Sequence, residues 1–179
     1  GFGLPVHLVV GDFDSVAPER LAEYEDAGVP VQRHPVAKDR TDLAIALDAA
    51  AALDPTRVTL VGGYGGRLDH LLGNALVLTS EAYRDLTLTA LVAGATITVV
   101  RNRRDLRGAP GDYVSLLPVN GPATGITTDG LRFPLHGENL LPGSTRGISN
   151  QFLTDRASVQ VEAGVLLAVQ PGTAGPAPD

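Results

Sequence analysis

The chain has no cysteine among its 179 residues. That removes disulfides, thiolate metal sites and cysteine nucleophiles together. Lysine is almost absent as well. Of the 14 basic residues all but Lys38 are Arg, which makes that one position worth examining. Positive charge is also in the minority, with 14 Lys and Arg against 20 Asp and Glu, a formal net charge of −6. This argues against a general nucleic-acid binder, whose affinity rests on neutralising phosphates, while leaving room for a local basic pocket that takes a nucleotide. No basic, aromatic-bearing patch suggests RNA or DNA. Long apolar runs are missing too. The uncharged stretch near the middle, Leu86 to Val100, is too short and too rich in Thr to span a membrane. Residues 1–7 carry no signal-peptide pattern. What remains is 44% apolar and 19% charged. That is the composition of a globular protein, long enough for one domain or two small ones. A cytoplasmic enzyme or binding protein is the default expectation.

Strands and helices are expected to alternate through the first half. A short apolar run, Leu8-Val9-Val10, reads as a strand, followed by a helix over 17–28 with Pro18 in its first turn and Gly28 as its stop. Val29–Arg33 reads as a second strand. Leu43 to Leu53 reads as a helix capped by Asp39 or Thr41 and stopped at Asp54-Pro55. Arg57–Val61 is a third strand ending in the glycine run 62–66. A helix follows with Leu68, Leu71, Leu72, Ala75 and Leu76 at helical spacing and a polar stripe of Arg67, His70 and Asn74. Leu86–Val92 is a fourth strand. This alternation implies an α/β layer with parallel pairing. After about residue 94 the texture changes to short strand candidates: Ala95–Arg101, Asp112–Leu117, Thr124–Thr128, Leu131–Leu135, Ser158–Glu162 and Val165–Gln170. They read as an all-β sandwich or small barrel. Gly164 is placed in a hairpin and the tail from Pro171 to Asp179 is expected to fray.

Chemistry concentrates at the expected strand ends. Gly11-Asp12-Phe13-Asp14-Ser15 ends the first strand with two acids one residue apart. In extended backbone these point to one side and suit a hard cation; equally, Asp14 or Ser15 can cap the following helix. Lys38, Thr41 and Asp42 follow the second strand, and the glycine loop around Gly63 with Arg67, Asp69 and His70 follows the third. Each has a plainer reading. Asp42 suits any first helical turn, Lys38 suits solvent, and His70 suits an exposed helix face. The glycine run matches neither the Walker pattern nor Gly-x-Gly-x-x-Gly. Their coincidence on one expected rim, where parallel strands end and helices begin, favours a site. Acids for Mg²⁺, a Lys and an Arg for phosphate oxygens and a glycine loop are what phosphoryl transfer uses. The four histidines have no metal-ligand spacing. Gly143-Ser144 and Ser149 lack the setting of a nucleophile elbow.

Four stretches together resemble the thiamine pyrophosphokinase family: Gly-Asp-Phe-Asp-Ser at 11–15, Lys-Asp-Arg-Thr-Asp at 38–42, Gly-Gly-Tyr-Gly-Gly-Arg-Leu-Asp-His with Asn74 from 62 onward, and Thr-Arg-Gly-Ile-Ser-Asn at 145–150. The resemblance implies transfer of diphosphate from ATP to thiamine, giving thiamine diphosphate and AMP, in a homodimer with its sites in clefts between subunits. It implies an α/β fold in which an N-terminal Rossmann-like parallel sheet with helices, lacking its first strands, precedes a C-terminal all-β sandwich. Residues 1–94 would bind ATP and Mg²⁺ and residues 95–179 thiamine. By position, Asp12, Asp14 and Asp42 would be Mg²⁺ carboxylates with Asp69 assisting. Ser15, Lys38, Thr41, Gly63, Arg67, His70 and Asn74 would line the ATP side, and Ser149 and Asn150 would contact thiamine. Phe133 matches a family aromatic that stacks on the pyrimidine ring; a sandwich-core aromatic is the other reading. One departure stands out. The family's Ala-Asp-Gly-Gly motif on an earlier strand has no match in residues 1–10, so N-terminal residues are expected to be absent from this chain. Two other readings stay open: a related diphosphokinase with another acceptor, such as a hydroxymethylpterin, and a non-catalytic thiamine- or nucleotide-binding module.

Overall fold

The computed structural model of the chain describes residues 3–14, 16–35 and 40–172. The expectations placed on Ser15, on Lys38, on Asp39 as a cap and on the tail beyond residue 172 lie outside the described residues. The chain divides into two compact units, Gly1–Pro55 and Thr56–Asp179.

The first unit runs β1 (Val9–Gly11), α1 (Pro18–Asp26), β2 (Val31–Arg33) and α2 (Asp42–Ala51). Strands β1 and β2 pair in parallel, with Val9 opposite Val31 and Gly11 opposite Arg33, as a helical crossover requires. Helix α1 begins on Pro18, whose fixed φ suits a first turn and whose missing N–H costs nothing there. It ends where Gly28 takes φ +74° and donates its N–H to the Glu25 carbonyl. Thr41 is the N-cap of α2, its hydroxyl accepting the Ala44 N–H at 3.3 Å. Helix α2 packs against β1. Ala44, Ile45 and Leu47 of α2 and Leu21 of α1 are buried, each leucine contributing about 1.5–3 kcal/mol.

The second unit comprises β3 (Arg57–Val61), α3 (Leu68–Val77), a 3₁₀ turn (Glu81–Tyr83), β4 (Thr87–Val92), β5 (Ala95–Val100), β6 (Arg103–Arg107), β7 (Tyr113–Asp129), β8 (His136–Leu140), β9 (Asn150–Gln151), β10 (Arg156–Gln160) and β11 (Ala163–Gln170). They form one curled sheet in the order β3-β4-β5-β11-β7-β10-β6, with β8 and β9 also on β7. Strands β3 and β4, joined through α3, pair in parallel; the other ladders are antiparallel. Ala93 and Gly94, at φ +49° and +82°, make the tight β4–β5 hairpin. Strand β7 bends at Asn120 and Gly121, at φ +61° and +140°. It pairs β11 over Ser115 to Val119 and again at Thr124, and β10 over Thr127 to Asp129, so the sheet turns a corner. The Asn120 amide at the bend donates to the Thr79 hydroxyl at 3.0 Å. Arg101 donates to the Thr79 and Ser80 carbonyls at 2.7 and 2.8 Å, satisfying groups left open just past the end of α3. The core lies inside the curl, around Val114, Leu116, Ile126, Leu135, Leu140, Phe152 and Leu166.

Three expectations change. The first is the Rossmann-like parallel sheet. Among the described residues β1–β2 is a sheet of its own, and β3–β4 continues antiparallel into β5. The protein is a mixed α/β chain made mostly of strands. Second, the strands expected at Asp112–Leu117 and Thr124–Thr128 are one strand, because left-handed Asn120 and Gly121 bend the chain without breaking its pairing. Third, Leu131–Leu135 is not a strand beyond a single bridge from Leu131 to Phe152. Pro134 cannot donate to a ladder. Thr128 holds the end of the segment, its hydroxyl accepting the Leu135 N–H and its own N–H donating to the Leu135 carbonyl, each at 2.9 Å.

Candidate active site

In the first unit, the end of β1 is shaped by Phe13. Two acids flanking one residue share a side only in extended backbone, and Phe13 stands at φ +60°. The alternation expected of Asp12 and Asp14 is therefore replaced by a local turn. The Asp12 carboxylate accepts the Asp14 N–H at 3.4 Å, and Val16 donates to the Phe13 carbonyl at 3.3 Å. Asp12 is half-buried and Asp14 exposed. The Phe13 ring folds back over Gly11, where a side-chain carbon would lie 3.7 Å from the ring and 3.9 Å from a carboxylate oxygen of Asp42. The Arg33 guanidinium lies 5.7 Å from the centre of the same ring. Helix α2, capped by Thr41, thus starts beside the end of β1, with the Asp42 carboxylate close to Gly11.

Asp12, Asp14 and Asp42 are hard oxygen donors, the type Mg²⁺ takes. Among the described residues no three acids or histidines already converge on one metal position. That suits an ion usually held by one or two carboxylates together with water and substrate phosphates. On its donor chemistry the group fits Mg²⁺.

The glycine loop belongs to the second unit. Gly62, Gly63 and Gly66 take φ +93°, +86° and +82°, which other residues adopt only under strain. The Gly62 N–H donates to the Leu91 carbonyl at 2.9 Å. Asn74, one turn from the end of α3, reaches back and donates to the Gly63 carbonyl at 3.3 Å. His70 is exposed in the first turn of α3. Of the expected apolar stripe, Leu71 and Ala75 are half-buried while Leu68, Leu72 and Leu76 are exposed.

Arg67 grips Asp69 with two bonds, Nε to Oδ1 at 3.2 Å and Nη2 to Oδ2 at 2.6 Å. These bonds, helped by the His70 backbone N–H, hold the Asp69 carboxyl well below its ordinary range, at about 2. Asp69 therefore serves Arg67 here, and it lies in a different unit from the other three acids. Its folded value lies below the unfolded one. What the pair adds to stability is thus complete above pH about 3.9 and is lost as pH falls through about 2. Carbon-13 NMR of the Asp69 carboxyl should titrate near 2, and Arg67→Gln should return it toward 3.8. An unchanged midpoint in that variant would show that the pair does not form in solution.

The motif 145–150 is fixed by close contacts. Gly147 accepts the Leu116 N–H at 2.8 Å, and a side chain there would collide with the Leu116 carbonyl. Ser149 stands at φ +56°, unusual for a non-glycine, and its N–H donates to the Ser115 hydroxyl at 3.1 Å. Asn150 is buried, whereas the Phe133 side chain, half out in solvent at 50% exposure, is not a core aromatic. Arg146 makes a two-pronged pair with Glu138 at 2.9 and 3.1 Å and donates to the Pro134 carbonyl at 3.1 Å. Nothing in the spacing singled out Arg146, Arg132 or Arg33.

A family model described as thiamin pyrophosphokinase, catalytic domain, matches residues 2–90, and one described as thiamin pyrophosphokinase, vitamin B1 binding domain, matches residues 96–166. The thiamine pyrophosphokinase of Bacillus subtilis is 27% identical over 170 residues, covering 89% of this chain and 76% of that protein. Its crystal structure superposes with a TM-score of 0.79 at 28% identity, covering 93% of this chain and 78% of that one. The thiamin pyrophosphokinase of Geobacillus thermodenitrificans gives 0.77 at 29% identity, covering 94% and 79%. Thiamine pyrophosphokinase 3 of Oryza sativa is 28% identical over 152 residues, and the chain spans 57% of its length. The chain belongs to the thiamine pyrophosphokinase family.

Proposed function

We propose that the protein is a thiamine diphosphokinase that moves the terminal diphosphate of ATP onto the hydroxyethyl oxygen of thiamine. The acceptor oxygen bonds to the β-phosphorus, the bond from that phosphorus to the bridging oxygen breaks, and AMP leaves. The observation that carries the reading is the match of both halves of the chain to this family, with Asp12 and Asp14 just past the end of β1 and the Asp42 carboxylate, at the start of α2, close to Gly11.

Such a transfer asks the protein mainly for positioning and charge neutralisation. Mg²⁺ held by Asp12, Asp14 and Asp42 would neutralise charge on the transferring phosphates. The glycine loop offers backbone that a phosphate can approach closely, and Asn74 holds its Gly63 carbonyl. Arg67, whose partner Asp69 is exposed, supplies a cation that phosphate oxygens can compete for. Ser15, Lys38, Thr41 and His70 complete the ATP side, and Thr41 also caps α2. Phe133, Ser149 and Asn150 form the thiamine side. Residues 1–94 would thus carry ATP and Mg²⁺ and residues 95–179 thiamine, a division close to the boundary between the two family matches. A cytoplasmic homodimer is the working form we assign. Of the described helices, none is long and apolar enough to cross a membrane.

The test is the product. Incubation with ATP, Mg²⁺ and thiamine should release AMP and thiamine diphosphate in equal amounts, followed by chromatography. ADP in place of AMP would mean single-phosphoryl transfer. Tight thiamine binding with neither product would make the chain a binding module, and turnover only with a pterin alcohol would change the acceptor.

A further inference from the structure

Asn150 is 3% exposed, so its amide must find partners inside the protein. Its oxygen accepts the Phe133 N–H at 2.9 Å and the Gln151 N–H at 2.9 Å. Its nitrogen donates to the Phe133 carbonyl at 2.7 Å. The side chain therefore takes both backbone groups of Phe133, as a neighbouring strand would. Both acceptor sites of the oxygen are used, leaving one N–H of the amide.

The neighbourhood serves the same residue. Pro134 has no N–H to donate, and the segment makes a single bridge, from Leu131 to Phe152. Gln151 binds Arg132 twice, its carbonyl accepting the Arg132 N–H at 2.9 Å and its side chain accepting from the guanidinium at 3.0 Å. The Arg132 guanidinium lies 5.7 Å from the centre of the Phe133 ring. The backbone on either side of Phe133 is thus tied down, while its ring stands half in solvent. Half of the ring's surface stays open to solvent. A ring held still and left open saves a flat ligand the cost of ordering it.

We propose that Asn150 is a positioning residue that holds Phe133 as a stacking platform for the planar heteroaromatic ring of the substrate, and that it acts on the substrate through Phe133. The inference rests on the reading of Phe133 as part of the thiamine side.

The test is a double-mutant cycle on the full chain with Phe133→Ala, Asn150→Ala and the pair. It is read as thiamine KM, kcat and calorimetric thiamine binding, with ATP KM as the control. Stacking against an aromatic side chain sets the scale, a loss of about 5- to 100-fold on truncation. Each single variant should raise thiamine KM within that range and leave kcat and ATP KM within about twofold. The double variant should be no worse than Phe133→Ala alone. Multiplying losses would mean that Asn150 acts apart from Phe133 and would overturn the proposal. So would a lower melting temperature in Asn150→Ala with thiamine KM unchanged. Should Asn150→Ala fail to fold, Asn150→Asp takes its place in the cycle, because it keeps the shape and the oxygen that accepts from Phe133 and Gln151 and sets a carboxylate oxygen where the amide donated to the Phe133 carbonyl. Unchanged thiamine binding in Phe133→Ala would instead remove Phe133 from the substrate, an outcome separate from the coupling.

Discussion

Asp14→Asn should cut the formation of AMP and thiamine diphosphate by about 10²–10³-fold and leave the fold intact. A metal's stabilisation of charge in the transition state is worth several kcal/mol, and each 1.4 kcal/mol is about tenfold in rate. The substitution removes one unit of charge and almost no volume. Asp14 is exposed, and the bond that seats it locally uses its backbone N–H, donated to Asp12 at 3.4 Å. Asparagine keeps that N–H. Stability should therefore change by less than about 0.5 kcal/mol, as for other exposed positions. Asp42→Asn should lose activity on the same scale and also give up about 0.3–1 kcal/mol of stability, because Asp42 sits in the first turn of α2 where a negative charge is favourable. The Mg²⁺ concentration for half-maximal rate should rise in both variants, and this separates loss of metal from loss of shape. Full turnover in Asp14→Asn with an unshifted Mg²⁺ dependence would remove Asp14 from the metal side.

Local rules carried far along the chain where nothing distant competes with them. The α2 cap, the Pro18 start, the Gly28 stop and β3 over Arg57–Val61 follow from propensity and punctuation, and the structure places them there. They failed where one residue adopts a conformation its type rarely takes. Phe13 at φ +60° undoes the same-side geometry of Asp12 and Asp14, and Asn120 at φ +61° bends β7 without ending it. No periodicity encodes either, because a left-handed residue leaves the apolar pattern around it unchanged. Pairing partners were equally hidden. The parallel β3–β4 pair and the antiparallel β4–β5 pair share a strand, and alternation of elements alone cannot say where parallel pairing stops.

The candidate site shows the same division. Residue types and order pointed to the carboxylates, the glycine loop and the Thr-Arg-Gly-Ile-Ser-Asn segment. What each side chain does had to come from its partners in the folded chain. Asp69 is claimed by Arg67, Asn74 by the Gly63 carbonyl, and Asn150 by Phe133, 17 residues before it. A motif identifies the residues that matter. It does not separate those that touch a ligand from those that hold the ones that do.

The largest loss of stability should come from Phe152→Ala, about 3–5 kcal/mol. Phe152 is 2% exposed and heads the fully buried side chains by volume. Its ring rests against Gly108, where an added carbon would come within 3.1 Å of it, so the glycine is the space the ring occupies. Its backbone is held as well, its N–H donated to the Asp112 carbonyl at 3.0 Å and its carbonyl accepting the Gly111 N–H at 2.8 Å. Those bonds survive truncation and pin the chain, so the neighbours cannot close over the void. The cost should sit at the high end for that reason. A domain is stable by only about 5–15 kcal/mol, so the variant should unfold at a urea midpoint lower by about 2 M, with the slope unchanged. Phe152→Leu, which refills most of the space, should cost less than about 1.5 kcal/mol. A loss under 1 kcal/mol for Phe152→Ala would mean that the curled sheet repacks freely there. The effect should also reach the thiamine side. Leu131, two residues before Phe133, bridges Phe152. If the platform depends on that anchor, Phe152→Ala should raise thiamine KM at temperatures where the protein is still fully folded, while Phe152→Leu should not.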